Sequence, residues 1–195
     1  MDGRRRQLWR RRRLRRMELT MPMSPPQPLR SPRRFVRHLA TDNGSARRAF
    51  PPAALSRIEA AIAEGERRHR GQVCVVVEAS LPLGRVLKRL APRTRALEVF
   101  GAMRVWDTEE NCGVLVYLLL ADRDVEIVAD RGIHAKVGDS AWEGICSGME
   151  AAFRERRFEE GVLAGIAKIN ALLAEHFPRT GDAGTNELPD RPVLL

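Results

Sequence analysis

Acidic and amide side chains cluster in two stretches of the chain that a predicted hairpin would bring together. Hard cations such as Ca²⁺ and Mg²⁺ are bound by carboxylate and carbonyl oxygens. The side chains of this kind are Asp107, Glu109, Glu110, Asn111, Asp130 and Asp139. One interpretation is a cation site whose ligands are Asp107, Asp130 and Asp139. The other is structural: an exposed turn at Glu109-Glu110, a solvated strand end at Asp130 and a helix start at Asp139.

Two predicted strands and a tight turn would position these acids. The segment from Gly113 to Ala121 is almost entirely apolar, which is typical of a strand covered on both faces. The segment from Asp124 to Asp130 alternates apolar and polar residues, which indicates a more exposed strand at a sheet edge. A two-residue turn at Asp122-Arg123 would place Leu115 opposite Asp130. The loop at 107–111 would then lie near Asp130.

Other residues with catalytic potential have a structural explanation. His134 has no companion histidine in its neighbourhood, so a surface or supporting role is expected. Glu78 and Asp122 end two strands, where open α/β folds often bind ligands, but no Gly-rich phosphate loop accompanies them and Asp122 is read as a turn former. Ser140 and Glu143 have the spacing of a helix capping box. No G-x-S-x-G, H-E-x-x-H or Walker motif is present.

The hydrophobic pattern predicts the order helix, strand, helix, strand, strand, helix, helix. Pro51-Pro52 opens the first helix, and Gln72 to Ala79 is a covered strand. Leu83 to Met103 has helical spacing, and Pro92 divides it into a short piece and a longer one. A strand–helix–strand crossover followed by a hairpin predicts an α/β fold. We expect a three-layer α/β/α sandwich with helices on both faces of a small mixed sheet that contains the hairpin.

The positive charge of the chain is concentrated at one end. The 195 residues carry a formal net charge of +9, yet residues 1–34 alone hold 12 arginines against Asp2 and Glu18. This Arg- and Pro-rich segment is predicted to be a disordered tail, because it has too little apolar surface to bury. It is either an arm that binds nucleic acid or anionic lipid, a solvated tail without a specific role, or a product of a start codon placed upstream of Met17, Met21 or Met23.

The remaining boundaries follow from composition. We expect a linker at 35–50, a domain at 51–178 and a loose C-terminal tail at 179–195. The basic segment lacks the apolar stretch of a secretory signal, and no run of about 20 apolar residues would span a membrane. Three widely spaced cysteines without a C-x-x-C motif favour reduced thiols and a cytoplasmic location.

The hairpin region resembles the TPM domain family, and most closely its bacterial, membrane-free branch. The resemblance rests on the stretches 105–117 (VWDTEENCGVLVY) and 121–133 (ADRDVEIVADRGI). Trp142, the stretch 153–161 (FRERRFEEG) and the ending 175–178 (EHFP) also match. The likeness extends over about residues 50–178.

The resemblance implies an α/β/α sandwich with a small sheet. It also implies that some relatives bind Ca²⁺ or similar cations, that chloroplast relatives act as acid phosphatases, and that many bacterial relatives are encoded beside a LemA-type membrane protein. A common family pattern before the central strand is Asp-Asn-Gly, whereas this chain has Glu110-Asn111-Cys112-Gly113. This departure weakens the transfer of a ligand to that loop and leaves Asp107, Asp130 and Asp139 as the expected ligands of Ca²⁺ or Mg²⁺. No organic cofactor is expected.

Three functional hypotheses result. The first is a cytoplasmic, non-catalytic interaction module that is tuned by a divalent cation and serves envelope or stress maintenance, with a LemA-type or TPM-family membrane protein as partner. The second is a metal-dependent acid phosphatase, which rests on the family resemblance alone. The third is nucleic-acid binding through the Arg-rich segment from Arg4 to Arg16.

Overall fold

A computed structural model describes residues 31–180 and 186–195. In these ranges the chain forms four strands and eight helices. The strands are β1 (Gln72–Glu78), β2 (Gly113–Leu119), β3 (Asp124–Ala129) and β4 (Val193–Leu194). The helices are α1 (Pro32–Ala40), α2 (Asn43–Ala49), α3 (Pro52–Glu66), α4 (Leu83–Leu87), α5 (Pro92–Ala102), α6 (Arg131–Val137), α7 (Asp139–Arg154) and α8 (Phe158–His176).

The strands form one mixed sheet in the order β3-β2-β1-β4. β1 and β2 are parallel, with Gln72 opposite Gly113 and Glu78 opposite Leu119. β2 and β3 are antiparallel, and β4 pairs in parallel with β1. The predicted crossover, hairpin and edge position of β3 are therefore confirmed. The prediction that β3 is more exposed is wrong, because all six of its residues are buried. Pro92 begins α5 and separates it from the short α4, as the sequence predicted.

Both faces of the sheet are covered. Successive side chains of a strand point to opposite faces, and every residue of β1, β2 and β3 is buried. α5 packs against β2 and β3, α7 packs against β3, and α3 packs against β1. α8 packs against α3 and α7. The predicted mixed α/β sandwich is thus the observed architecture.

The predicted register of the hairpin is wrong by two residues. Leu119, not Ala121, lies opposite Asp124, and Leu115 lies opposite Val128. The connection is a four-residue loop at 120–123 rather than a two-residue turn. Leu120 and Ala121 leave the hairpin because their backbone N–H groups donate to Glu78 and Ala79 at the end of β1.

The predicted linker at 35–50 is also wrong, because α1 and α2 occupy it. Ser31 caps α1 by accepting a hydrogen bond from the Arg33 N–H, and Pro32 occupies the first turn. Asp42 and Ser45 form a reciprocal capping box at the start of α2. Residues 1–30, which were predicted to be disordered together with residues 31–34, lie outside the described residues. Residues 31–34 are ordered and form the start of α1.

The C-terminal segment is not loose where the structure describes it. The Gln72 side-chain oxygen accepts hydrogen bonds from the backbone N–H groups of Glu187 and Leu188. Leu188 is buried, and β4 extends the sheet beside β1. These contacts attach residues 186–195 to the amino and carboxyl ends of β1. Within the described ranges no helix has the length and hydropathy needed to cross a membrane.

The predicted capping box at Ser140 is absent. α7 begins two residues earlier than a cap at Ser140 would require, at Asp139, and its N-cap is Gly138, which has a φ of +76°. Glycine adopts this left-handed conformation without the steric cost that a Cβ would impose, so the chain can change direction between α6 and α7. Trp142 is fully buried, whereas Trp106 is half exposed and does not anchor the core.

Candidate functional site

The three predicted cation ligands have different environments. Asp130 caps α6 by accepting a hydrogen bond from the Arg131 N–H, and its own N–H donates to Gly113. Burial raises the pKa of Asp130, against the opposing effect of the Arg131 N–H. A carboxylate in this position has a structural role in starting the helix. The sequence predicted that the loop at 107–111 lies near Asp130; in the structure Asp130 hydrogen-bonds to Gly113, just after that loop.

The other two acids are at the surface. Asp139 is exposed and lies 3.2 Å from His134 Nε2. Asp107 is exposed, and its backbone N–H donates to Arg104. Among the residues that the structure describes, no three His, Cys, Asp or Glu side chains are placed to bind one metal ion. Cation binding by Asp107, Asp130 and Asp139 therefore remains a prediction from the sequence, because these three carboxylates do not converge on one point in the structure.

The loop at 107–113 is fixed by close packing. A Cβ at Gly113 would lie 1.9 Å from the Val105 carbonyl oxygen, so only glycine fits where β2 begins. Asn111 has a φ of +53°, a left-handed conformation that asparagine tolerates. The Cys112 N–H donates to the Thr108 hydroxyl, and its thiol donates to the Arg70 carbonyl. The residues of the family-like pattern thus shape this loop.

A second cluster of charged side chains lies at the carboxyl ends of β1 and β2. Asp122 is at its centre and is fully buried. Arg34 Nε donates to Asp122 Oδ2 over 2.8 Å, and Arg37 donates to Oδ1 over 3.2 Å. His38 Nε2 lies 3.3 Å from Oδ2. Burial acts to raise the pKa of Asp122, but the hydrogen bonds of His38 and Arg34 outweigh it and the pKa is lowered.

Backbone groups fix the orientation of these partners. The Leu81 N–H donates to His38 Nδ1, which therefore acts as an acceptor and leaves the proton on Nε2, facing Asp122. Arg34 also donates to the carbonyl oxygen of Leu90. α1 is consequently held by a polar contact to the chain after each of β1, α4 and β2. Side chains of α1 thus bond to the loops that follow β1 and β2, at the end of the sheet where open α/β folds often bind small ligands.

A third set of polar groups connects β1 to α5. The Tyr117 hydroxyl donates to Glu78 over 2.7 Å, and Arg95 makes two hydrogen bonds to the same carboxylate. Burial, then the charge of Glu78, raises the pKa of the Tyr117 phenol. Arg95 also contacts Glu98. Each donor in this set is directed at a carboxylate of the same chain, so the set resembles a structural tie rather than an open site.

Buried acids continue along β3. Asp124 and Glu126 point to the same face, and burial raises their pKa values to about 8 and about 7. The charges of Glu126 and Glu150 raise the pKa of Asp124 further, and Arg93 acts in the opposite direction on Glu126. One carboxylate oxygen of Asp124 is buried without a hydrogen-bond partner. Such a group is stable in the folded protein when it is protonated.

The three cysteines and the buried His69 do not have the environment of activated nucleophiles and bases. Burial raises the pKa of Cys74 and Cys146 to about 12 and that of Cys112 to about 11, so all three are thiols at neutral pH. His69 is buried between Asn170 and the Gly71 carbonyl, and burial lowers its pKa. In the described part of the chain the cysteines are free, which agrees with the reduced thiols that were expected.

The Asp122 cluster contains residues that the sequence did not point to. Arg34, Arg37 and His38 fall in segments that were read as a tail and a linker. The signal that could have found them is the pair Ser31-Pro32, a helix start, followed by Arg34 and His38 one helical turn apart. Asp122 was noted, but as a turn former.

Comparisons with known proteins agree with this architecture. No curated protein matches the chain in sequence. Among solved structures, the chain is similar to the NMR structure of BA42 from the psychrophilic bacterium Bizionia argentinensis, at 26% identity and a TM-score of 0.66. The match covers 74% of this chain and 94% of BA42.

The family comparison covers most of the structured region. The family model described as TPM domain matches residues 46–172. The matched segment begins in α2 and ends in α8, and it includes β1, β2 and β3. It leaves α1 outside. The chain therefore belongs to the TPM domain family.

Proposed function

We propose that this protein is a non-catalytic interaction module that works at the cytoplasmic face of the cell envelope. The observation that carries the proposal is the ion pair between Arg34 and Asp122, whose side chains are 1% and 0% exposed. It closes the carboxyl ends of the parallel strands with the chain's own helix. A small-molecule substrate would need this space, whereas a partner that binds the outer surface would not.

The electrostatics support the same proposal. An acid phosphatase needs a metal or an acid pair that can reach a phosphoryl group. Here the charged groups nearest the strand ends are engaged with one another, since Asp122 is bound by α1 and Glu78 by Tyr117 and Arg95. Thiols with raised pKa values are poor nucleophiles at neutral pH. These features favour binding over catalysis.

An aryl-phosphate assay tests the non-catalytic part. The purified full-length protein should release no more aryl alcohol than buffer does, with Ca²⁺ or with Mg²⁺ present. Asp107→Ala and Asp130→Ala should give the same trace as the wild type. Turnover by the wild type that disappears in either variant would replace this proposal with the phosphatase hypothesis.

Site-specific photo-cross-linking in cells tests the interaction part. A photoreactive residue is placed at Val36, which is 59% exposed on α1. A matched probe at Glu143, exposed on α7, is the control. We expect adducts from position 36 and none above background from position 143. Equal labelling at the two positions would contradict a binding function of the α1 surface.

The partner class is part of the proposal. The resemblance suggests a membrane protein of the LemA type or of the TPM family as the partner, and the three free cysteines support the proposed cytoplasmic location. Adducts at position 36 that contain such a protein would identify it directly. Fractionation of cells checks the location: the protein should be found with the cytoplasm and the cytoplasmic membrane.

A further inference from the structure

α1 buries two polar side chains, beside the partly buried Phe35, which packs against the core. Its inner face carries Arg34 and His38, which are 1% and 3% exposed. Its outer face carries Val36 and Leu39, which are 59% and 65% exposed. At 100° per residue these two side chains project almost opposite to Arg34 and His38. A surface helix normally places its apolar stripe against the core.

The polar contacts fix this orientation. Arg34 and His38 both hold Asp122, and the Leu81 N–H holds His38. Rotating α1 to bury Val36 and Leu39 would break these contacts and leave Asp122 buried without its cations, which is strongly unfavourable. These contacts therefore keep the outer face of α1 exposed to solvent. This face consists of Pro32, Val36, Leu39 and Ala40.

We infer that the outer face of α1 docks on an anionic lipid bilayer. This inference rests on the proposed function and adds the membrane surface beside which the partner protein would lie. An interfacial helix places apolar side chains at the headgroup boundary and is attracted by basic residues that contact anionic lipids. Val36 and Leu39 provide the apolar part, and the exposed Arg33 lies beside them. Both parts of the attraction are therefore present at one end of the molecule.

The sequence that leads into α1 provides the charge. Residues 1–30 contain ten arginines and two acidic residues, a balance of +8, and they join the helix directly at Ser31. Attraction to a negatively charged membrane acts over a Debye length of about 8–10 Å and increases with each basic residue that lies near the surface. A bilayer that contacts the outer face of α1 would therefore also attract this arginine-rich sequence.

The other occupants fit less well. A stable interface between two copies buries roughly 800 Å² on each partner, far more than two large and two small side chains offer. Nucleic acid binds arginines through its phosphates, but its charged backbone makes no favourable contact with an apolar helix face. The combination of charge and apolar surface favours lipid.

Vesicle co-sedimentation of the full-length protein tests the inference. The probes are vesicles of phosphatidylcholine alone and vesicles with about 30% phosphatidylglycerol. We expect binding only to the anionic vesicles, and weaker binding when NaCl is raised from about 0.1 M to about 0.5 M. The double variant Val36→Asn/Leu39→Asn should bind at least about tenfold more weakly. Replacing Arg10, Arg11, Arg12 and Arg13 with Gln should also weaken binding.

Trp106→Gln is the matched control. Trp106 is also about half exposed, but it precedes β2 and lies at the opposite end of that strand from Asp122. Its substitution should leave vesicle binding within about twofold of the wild type. Far-UV circular dichroism should show the wild-type fold for the Val36→Asn/Leu39→Asn and Trp106→Gln variants, because these three side chains are exposed.

Several results would overturn the inference. The first is that the wild type sediments with neither kind of vesicle. The second is that the double variant binds anionic vesicles as tightly as the wild type does. A sedimentation mass that falls from dimer to monomer in the double variant would assign the face to a second copy. Binding of duplex DNA without vesicle binding would assign the arginines to nucleic acid. If any of these results is accompanied by protein adducts from position 36, the lipid inference fails but the proposed interaction module is still supported. Aryl-phosphate turnover would contradict the interaction module itself.

Discussion

Arg34 and Asp122 lie 88 positions apart in the chain and meet in a buried ion pair, with 2.8 Å between Arg34 Nε and Asp122 Oδ2. The pair joins the first described helix to the loop between β2 and β3. It determines which side of α1 faces the protein, and so it links the charged cluster at the strand ends to the apolar surface outside. The proposals above both depend on this contact.

Removal of Arg34 should destabilise the fold. Arg34→Met leaves the buried Asp122 with only Arg37 and His38, and breaking a buried ion pair costs about 3–5 kcal/mol. We expect a loss near the lower end of that range in urea unfolding, because two partners remain. Arg33→Met, at an exposed position of the same helix, should change the free energy of unfolding by less than about 0.5 kcal/mol. Equal effects of the two substitutions would show that the pair does not hold α1.

Stability should decrease as pH rises from about 5 to about 8. Burial raises the pKa of Asp124 to about 8 and that of Glu126 to about 7, whereas carboxyl groups in an unfolded chain ionise near pH 4. Between these values the folded protein binds more protons than the unfolded chain, so a higher pH favours unfolding. The slope for each group is at most about 1.4 kcal/mol per pH unit.

Asp124→Asn tests the source of this pH dependence. The amide is neutral at every pH, so the variant should lose part of the decrease between about pH 5 and about pH 8. The measurement is the free energy of unfolding from urea titrations at several pH values. Curves of wild type and variant that run parallel would assign the pH dependence to other groups, such as Glu66, whose pKa burial also raises, to about 7.

Gly113 should not tolerate a side chain. The Cβ of Gly113→Ala would meet the Val105 carbonyl oxygen, and the backbone at the start of β2 would have to move. We expect a loss of about 3 kcal/mol or more. Gly144→Ala is the control, since a Cβ there meets no atom within 4 Å and alanine favours the helix interior by roughly 0.5–1 kcal/mol. A neutral Gly113→Ala in thermal unfolding would refute the close approach.

Asp130→Ala separates the structural role of this residue from the predicted cation site. Loss of the cap of α6 should reduce stability by about 1 kcal/mol, and the reduction should be the same with millimolar Ca²⁺ and with a chelator. Thermal unfolding provides the measurement. A melting temperature that rises with Ca²⁺ in the wild type but not in Asp130→Ala or Asp107→Ala would restore the cation hypothesis, because a ligand stabilises the state that binds it.

The elements near the centre of the fold could be predicted from the sequence because their signals are local. The apolar run beginning at Gly113, the break at Pro92 and the alternation after Asp124 each fix an element within a few residues. The register of the hairpin could not be predicted in the same way. Leu120 and Ala121 continue the apolar pattern of β2, yet they hydrogen-bond to the end of β1, a contact that the strand pattern does not contain.

The site was harder to predict than the fold. α1 lacks the usual signature of a packed helix, because the residues that it buries are Arg34 and His38 and their partner Asp122 is distant in sequence. Asp130 hydrogen-bonds to Gly113, which follows the loop at 107–111 that was expected beside it. Its carboxylate caps a helix, however, and such a role depends on the backbone of the next residues rather than on the presence of other acids nearby.

The closure of the strand ends by α1 is the central claim, and amide hydrogen exchange tests it most directly. A helix of nine residues is marginal in isolation, so protection of its amides requires docking on the rest of the protein. We predict that the amides of α1 exchange at least about tenfold more slowly in the wild type than in Asp122→Asn, while those of β2 stay protected in both. Amides of α1 that exchange as fast as an unstructured peptide in the wild type would contradict the account.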